Sequence, residues 1–95
     1  PNYQPQAPSY AEMIDFALRA LAASPSGFFL VAEEEGSDNF ANKNNAAGTL
    51  EAHARADAGI GVARAFIARR PDTLVLVASD SNAGSMTVVG GRGLD

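Results

Sequence analysis

The stretch "FFLVAEEEGSDNFANKNNAAG", residues 28–48, decides how the chain is read. It opens as an unbroken apolar run, Phe28 to Ala32, and then meets Glu33, Glu34 and Glu35. Asp38, Asn39, Asn42, Asn44 and Asn45 follow. An apolar run without polar alternation is the pattern of a strand covered on both faces, as in a parallel sheet. Residues 27–33, "GFFLVAE", are therefore predicted as a strand, and 34–45 as a loop. That loop has two readings. It is a solvated acidic connection, with asparagines favouring turns through local hydrogen bonds, or it is the rim of a site.

Downstream lies "AAGTLEAHARADAGIGVARAFIARR", from residue 46. Leu50, Ala54, Ala58, Val62 and Ile67 recur at roughly helical spacing, with Phe66 widening the stripe, so a helix is predicted over about 46–69. Gly48, Gly59 and Gly61 each cost a helix about 1 kcal/mol relative to alanine. They mark either close packing against a neighbour or a locally weak helix. Pro71 stops the helix, and "DTLVLVAS", residues 72–79, reads as a second buried strand. A polar turn, "DSNAG", follows, and "SMTVVGG", residues 85–91, is a candidate short third strand.

Upstream, "PNYQPQAP" carries three prolines and no periodicity, an extended lead-in. Ser9 and Glu12 have the capping-box spacing. They open a predicted helix over about 10–23, with Met13, Phe16, Ala17, Ala20 and Leu21 on one stripe; "SPSG" ends it. A helix between two apolar strands is a right-handed crossover, which makes the strands parallel. The expected fold class is α/β, helix–strand–helix–strand with parallel strands. It forms a single segment or partial domain over 1–95, with lead-in 1–8 and core piece 9–95.

With 95 residues the chain is at most one domain. It buries only roughly 60–65% of its unfolded surface. A net charge of −4 gives no electrostatic footing for nucleic acid or an anionic membrane. No apolar run is long enough to span a bilayer. The absence of cysteine excludes disulfides, thiolate metal sites and a cysteine nucleophile, and a single histidine, His53, excludes a multi-histidine zinc site built by this chain alone. "VVGGRG" is not read as a phosphate cradle, because no helix follows it.

In parallel α/β sheets, ligands bind beyond the carboxyl ends of the strands. Here those ends carry Glu33, Glu34, Glu35, Asp38, Asn39 and Asn42 on one side and Asp80, Ser81 and Asn82 on the other. Carboxylates held together repel unless something positive neutralises them, so this edge is a candidate cation site. His53 falls mid-helix and is expected to be a surface or packing residue.

At these residues a resemblance enters. "GFFLVAEEEGSDNFANKNNAAG", the long helix after it and "DTLVLVASDSNAG" resemble the metal-binding stretch of alkaline phosphatases, and Pro8 to Met13 is similar to the lead-in to that stretch. The likeness covers about residues 8–84 and implies a piece of an α/β/α sandwich. By position, Glu33 resembles the family's magnesium-site glutamate, Asp38 an aspartate ligand of the first catalytic metal and Asp80 an aspartate ligand of the second. The sequence then departs from the pattern: histidine is expected where Asn39, Asn42 and Ser81 stand. Either the metals are held by oxygen, from Glu33, Asp38, Asn42 and Asp80 with Ser81 as a further candidate, or the site has decayed and the scaffold serves as a non-catalytic cation-binding or structural module. Sparing all three carboxylates favours the first account. Oxygen donors suit magnesium, calcium or manganese, whereas the family's imidazoles suit zinc.

The resemblance implies a metal-dependent phosphomonoester hydrolase with a serine nucleophile. The family's aspartate–serine–alanine motif is absent here, so no catalytic residue is assigned, and the chain is expected to be a segment that is inactive alone. A sulfatase- or phosphodiesterase-like relative would share the architecture and differ in its nucleophile. Periplasmic or extracellular placement is implied by the resemblance alone. Bare sheet edges are expected to favour pairing with another chain, with the rest of its own protein or with a second copy.

Overall fold

The computed structural model describes residues 2–81, 83, 84, 87 and 90. Three helices carry it: α1 (Tyr10–Leu21), α2 (Gly36–Asn42) and α3 (Ala46–Arg69). Helix α1 begins where its sequence says it should. The Ser9 hydroxyl accepts from the Glu12 backbone N–H at 3.2 Å, and the Glu12 carboxylate accepts from the Ser9 N–H at 2.7 Å. These reciprocal bonds satisfy donors that the first turn leaves free. They also hold the Glu12 carboxyl below its usual titration range, the Ser9 backbone bond being the larger cause.

Helix α3 opens on Asn45, whose side-chain oxygen accepts from the Gly48 N–H at 2.9 Å, and it ends just before Pro71. Its buried residues are Gly48, Thr49, Ala52, Gly59 and Phe66. The glycines separate into two kinds. A Cβ on Gly59 would lie 2.5 Å from the Tyr10 ring and 2.9 Å from Ile14, so Gly59 lets α1 cross α3 closely. A Cβ on Gly61 would meet open space. Both readings left open by the sequence are thus realised, at different positions.

The core is small: Ile14, Leu18 and Phe66, with Tyr10, Ala22, Phe28, Leu30 and Val62 packed around them. Phe28 meets Phe66 edge-on, with centroids 6.0 Å apart. The buried face of α1 is therefore the Ile14–Leu18 face, one helical step from the expected stripe. Met13 and Phe16 are exposed, and so is Leu50 on α3. Each helix carries apolar residues around more than one stripe, and packing selects among them.

The expected α/β class does not hold. Among the described residues there is no β-strand, and the architecture is helical. Segments 27–33 and 72–79 lack regular secondary structure, with no ladder bonds joining them, so no parallel pair and no crossover unit exists. The physical reason is that an apolar run favours an extended chain, whereas a strand also needs a neighbour at hydrogen-bonding distance. Here both segments line a 590 Å³ apolar groove together with Tyr10, Ile14 and Leu18 of α1. Phe28 and Leu30 turn toward the core, while Phe29 is 89% exposed and Leu74 and Leu76 are each 81% exposed. The expected strand at 85–91 lies, apart from Thr87 and Gly90, outside the described residues.

The loop expected over 34–45 contains α2, a second correction. Its asparagines bond back along the helix, Asn42 to Asp38 at 3.1 Å and Asn39 to Glu35 at 3.3 Å. Asn44, at φ +54°, turns the chain from α2 into α3, a conformation that asparagine tolerates. Phe40 anchors α2: it packs edge-on against Tyr3 and closely over Gly48, where a Cβ would lie 2.7 Å from the ring. No described helix is long and apolar enough to cross a membrane.

Candidate cation-binding pocket

Asp38 lies in the first turn of α2, and Asp80 leads the turn that follows the second extended segment. That turn reaches α2 because Gly84 touches the Ala41 carbonyl, where any Cβ would collide with backbone. The turn is shaped locally. The Ser79 hydroxyl donates to the Ser81 carbonyl at 2.9 Å, and the Ser81 hydroxyl accepts from the Ala83 N–H at 3.0 Å. The result is a polar pocket of about 360 Å³ whose walls include Ser37, Asp38, Thr49, His53, Ser79, Asp80 and Ser81.

The sequence-derived ligands therefore divide. Asp38 and Asp80 share one pocket, and Ser81 joins them. Asn42 is not in its lining; its amide donates to the Asp38 carboxylate and orients it from behind. Glu33 is also outside the lining, and Asn82 lies outside the described residues. Electrostatically the separation is smaller. The Glu35 carboxyl titrates above its ordinary range, raised first by Glu33 and further by partial loss of water, Asp38 and Asp80. All three carboxylates singled out by position are thus felt at one point on the rim.

Glu34 has a different task. It accepts from the Tyr3 hydroxyl at 2.6 Å and from the Ser37 N–H at 3.2 Å. The Arg55 guanidinium covers the Tyr3 ring at 3.7 Å, and Asn2 bridges Glu51 and Asn45. The lead-in is consequently a strap across α2 and α3, and Glu34 is the acidic residue that fastens it.

His53, expected as a surface or packing residue, is exposed on α3 and also lines this pocket. Its mid-helix position does not separate it from the acidic turns, because α3 runs beneath both of them and His53 lies on the pocket wall with Asp38 and Asp80. The available signal was the pair Thr49 and His53, one turn apart on α3, but which way that face points depends on packing.

The donors suit a divalent cation in kind: two carboxylates, an imidazole and serine hydroxyls. In position, no group of three His, Asp or Glu side chains among the described residues stands close enough to hold a metal ion. The pocket is thus wider than the inner sphere of a bare ion.

Comparison with known proteins identifies the family. The family model for alkaline phosphatase matches residues 2–93. The tissue-nonspecific isozyme of alkaline phosphatase from Rattus norvegicus is 36% identical over 73 residues, which is 77% of this chain and 14% of that protein. No solved structure matches. The chain spans about one-seventh of the relative's length, and it belongs to the alkaline phosphatase family.

Proposed function

We propose that this chain is the segment of a metal-dependent phosphomonoester hydrolase that carries Asp38 and Asp80, with oxygen donors where the family's histidines stand. The observation that carries the reading is the meeting of these two aspartates, far apart in sequence, in one 360 Å³ polar pocket. Asn42 supports the site by donating to the Asp38 carboxylate, and Glu33, outside the pocket lining, adds negative charge felt at the rim. Magnesium, calcium or manganese suits this chemistry better than zinc, because hard cations take oxygen ligands. A bound cation supplies the positive charge that offsets the carboxylates and attracts a phosphoryl oxygen.

The chain's own residues hold and orient; none is assigned as the nucleophile. The Ser79 and Ser81 hydroxyls are engaged in shaping the turn. The chain alone is therefore inactive toward phosphate monoesters, and turnover belongs to the whole protein, in the periplasm or outside the cell. The exposed Phe29, Leu74 and Leu76 are covered there by further parts of that protein, by another chain or by a second copy.

The alternative is a non-catalytic cation-binding or structural module on the same scaffold. It is favoured by the local engagement of the pocket hydroxyls and by the lack of three converging ligands. Elemental analysis of the dialysed protein, followed by phosphatase assay of the intact protein with the metal found, separates the two. Stoichiometric magnesium, calcium or manganese with metal-dependent turnover supports the hydrolase. Bound metal without turnover supports the module. Absence of binding for every ion added sinks the hydrolase and leaves a structural scaffold without its chemistry.

A further inference from the structure

The lead-in strap touches α2 at both of its ends. At the start, the Tyr3 hydroxyl donates to one Glu34 carboxylate oxygen at 2.6 Å, and the other oxygen accepts from the Ser37 N–H, in the first turn of α2, at 3.2 Å. One carboxylate therefore joins the strap to the helix. The Tyr3 hydroxyl fits there because residue 36 is glycine; a Cβ would collide with it. Midway, Phe40 packs edge-on against the Tyr3 ring, with centroids 5.7 Å apart. Beyond the other end, the Asn45 amide donates to the Asn2 side-chain oxygen at 3.1 Å, while its own oxygen caps α3 at Gly48.

Little else holds α2 in helical form. It has seven residues, and its N-cap Glu35 makes no side-chain cap bond. Isolated helices shorter than about 12 residues are marginal in water. Among the described elements α2 packs on α3 and not on α1, and its apolar anchor Phe40 rests between Tyr3 and Gly48. The core of Ile14, Leu18 and Phe66 takes in no described residue of α2 or of the lead-in. The geometry points to the strap and α2 as one conditional unit, in which Tyr3 is a positioning residue that keeps α2 folded and so keeps Asp38 beside the turn of Asp80. When the strap lifts, α2 melts with it and the contact of Gly84 with the Ala41 carbonyl is lost. Asp38 then leaves the pocket it shares with Asp80, while α1 and α3 stay packed around Phe66. Sub-global opening of this kind follows contiguous motifs with few buried apolar contacts. The inference goes beyond the proposed function and holds whether or not the pocket takes a cation.

The test uses the full chain, labelled with ¹⁵N and ¹³C, and two variants. In wild type, the amides of Asn39 and Asn45, which donate to the Glu35 and Phe40 carbonyls, exchange with solvent through an easier opening than those of Leu18 and Phe66. Tyr3→Phe keeps the ring and removes only the bond to Glu34. Exchange at Asn39 and Asn45 then speeds up about tenfold, the equivalent of one hydrogen bond to a charged acceptor. Tyr3→Ala removes the ring as well. Carbon-13 shifts of residues 36–42 fall to random-coil values, those of 10–21 stay helical, and the Overhauser contact between the Gly84 α-protons and the Asn42 amide disappears. If exchange in Tyr3→Phe matches wild type, or Tyr3→Ala leaves 36–42 helical with the Gly84 contact intact, Tyr3 does not position α2. If Leu18, Asn39, Asn45 and Phe66 exchange through a single opening in wild type, no separate unit exists. The wild-type and Tyr3→Phe rates carry the test even where Tyr3→Ala unfolds the whole chain.

Discussion

The two halves of α3 support opposite kinds of structure. Its N-terminal half is fastened by polar bonds: Asn45 caps it, Asn2 reaches Glu51, and Arg55 lies over Tyr3, which bonds Glu34. Its C-terminal half is fastened by apolar contact, Phe66 against Phe28, Ile14 and Leu18. Beyond that small core, residues 29, 31, 74, 76 and 77 stand bare. Polar bonding closes locally, because each donor finds an acceptor a few residues or one helix away. Apolar burial does not close until enough surface is gathered, and a chain of this size gathers little.

The largest effect is expected at the apolar half. Phe66→Ala removes the ring that joins α1 to segment 28–30 and should cost about 3–5 kcal/mol, read as loss of the cooperative urea transition. An unchanged midpoint would mean that the apolar half contributes no stability. Next comes a pair of glycines. Gly59→Ala forces Tyr10 and Ile14 away; overpacking of about 1–3 kcal/mol outweighs the ~1 kcal/mol gained in helix propensity, so the melting temperature falls. Gly61→Ala meets nothing and should gain up to about 1 kcal/mol. Equal shifts in the two variants would show that α1 does not cross at Gly59.

The polar half should respond more gently. Tyr3→Phe loses the bond to Glu34 and should cost about 1–2 kcal/mol, toward the upper range because the acceptor is charged. The same contact gives a pH signature. The Tyr3 hydroxyl is pushed up to about 12, by burial first and then by the bond to Glu34 and its charge, with Arg55 opposing. The folded state therefore prefers the protonated ring. Its contribution is complete below the ordinary tyrosine value near 10 and is lost as pH rises through about 12. Both tyrosines are raised, Tyr10 by burial and by the Glu34 and Glu33 charges, so ultraviolet titration should show late ionisation, and the step near 12 should vanish in Tyr3→Phe. The smallest effect is expected at the bare surface. Phe29→Ser should change folding stability by no more than about 0.5 kcal/mol while reducing self-association in sedimentation velocity. A cooperative loss of stability there would show that the surface is already covered in solution.

What could be read from the sequence follows from what is local. The ends of α1 and α3 were legible because Ser9, Glu12, Asn45 and Pro71 act within one turn of themselves. The short helix α2 was not legible. Its asparagines are as good at turns as at bonding back to Asp38 and Glu35, and Phe40 packing on Tyr3 and Gly48 decides between them. The buried face of α1 was missed by one helical step, because Met13 and Phe16 are as apolar as Ile14 and Leu18, whereas Phe66 and Val62 of the expected α3 stripe do join the core. The two apolar runs were read correctly as segments that leave the helices and wrongly as members of a sheet.

By itself the sequence determined three things: where the long helices begin and stop, that segments 27–33 and 72–79 leave them, and which family the chain resembles. Each depends on caps, breakers and side-chain identities that act over a few residues. Only the tertiary structure decided that Asp38 and Asp80 share a pocket while Glu33 and Asn42 stand outside its lining, and that His53 lies on its wall. It also decided that the extended segments meet no partner strand. Those outcomes depend on how closely Gly59 and Gly84 let their neighbours approach, a property of packed surfaces that no local pattern encodes.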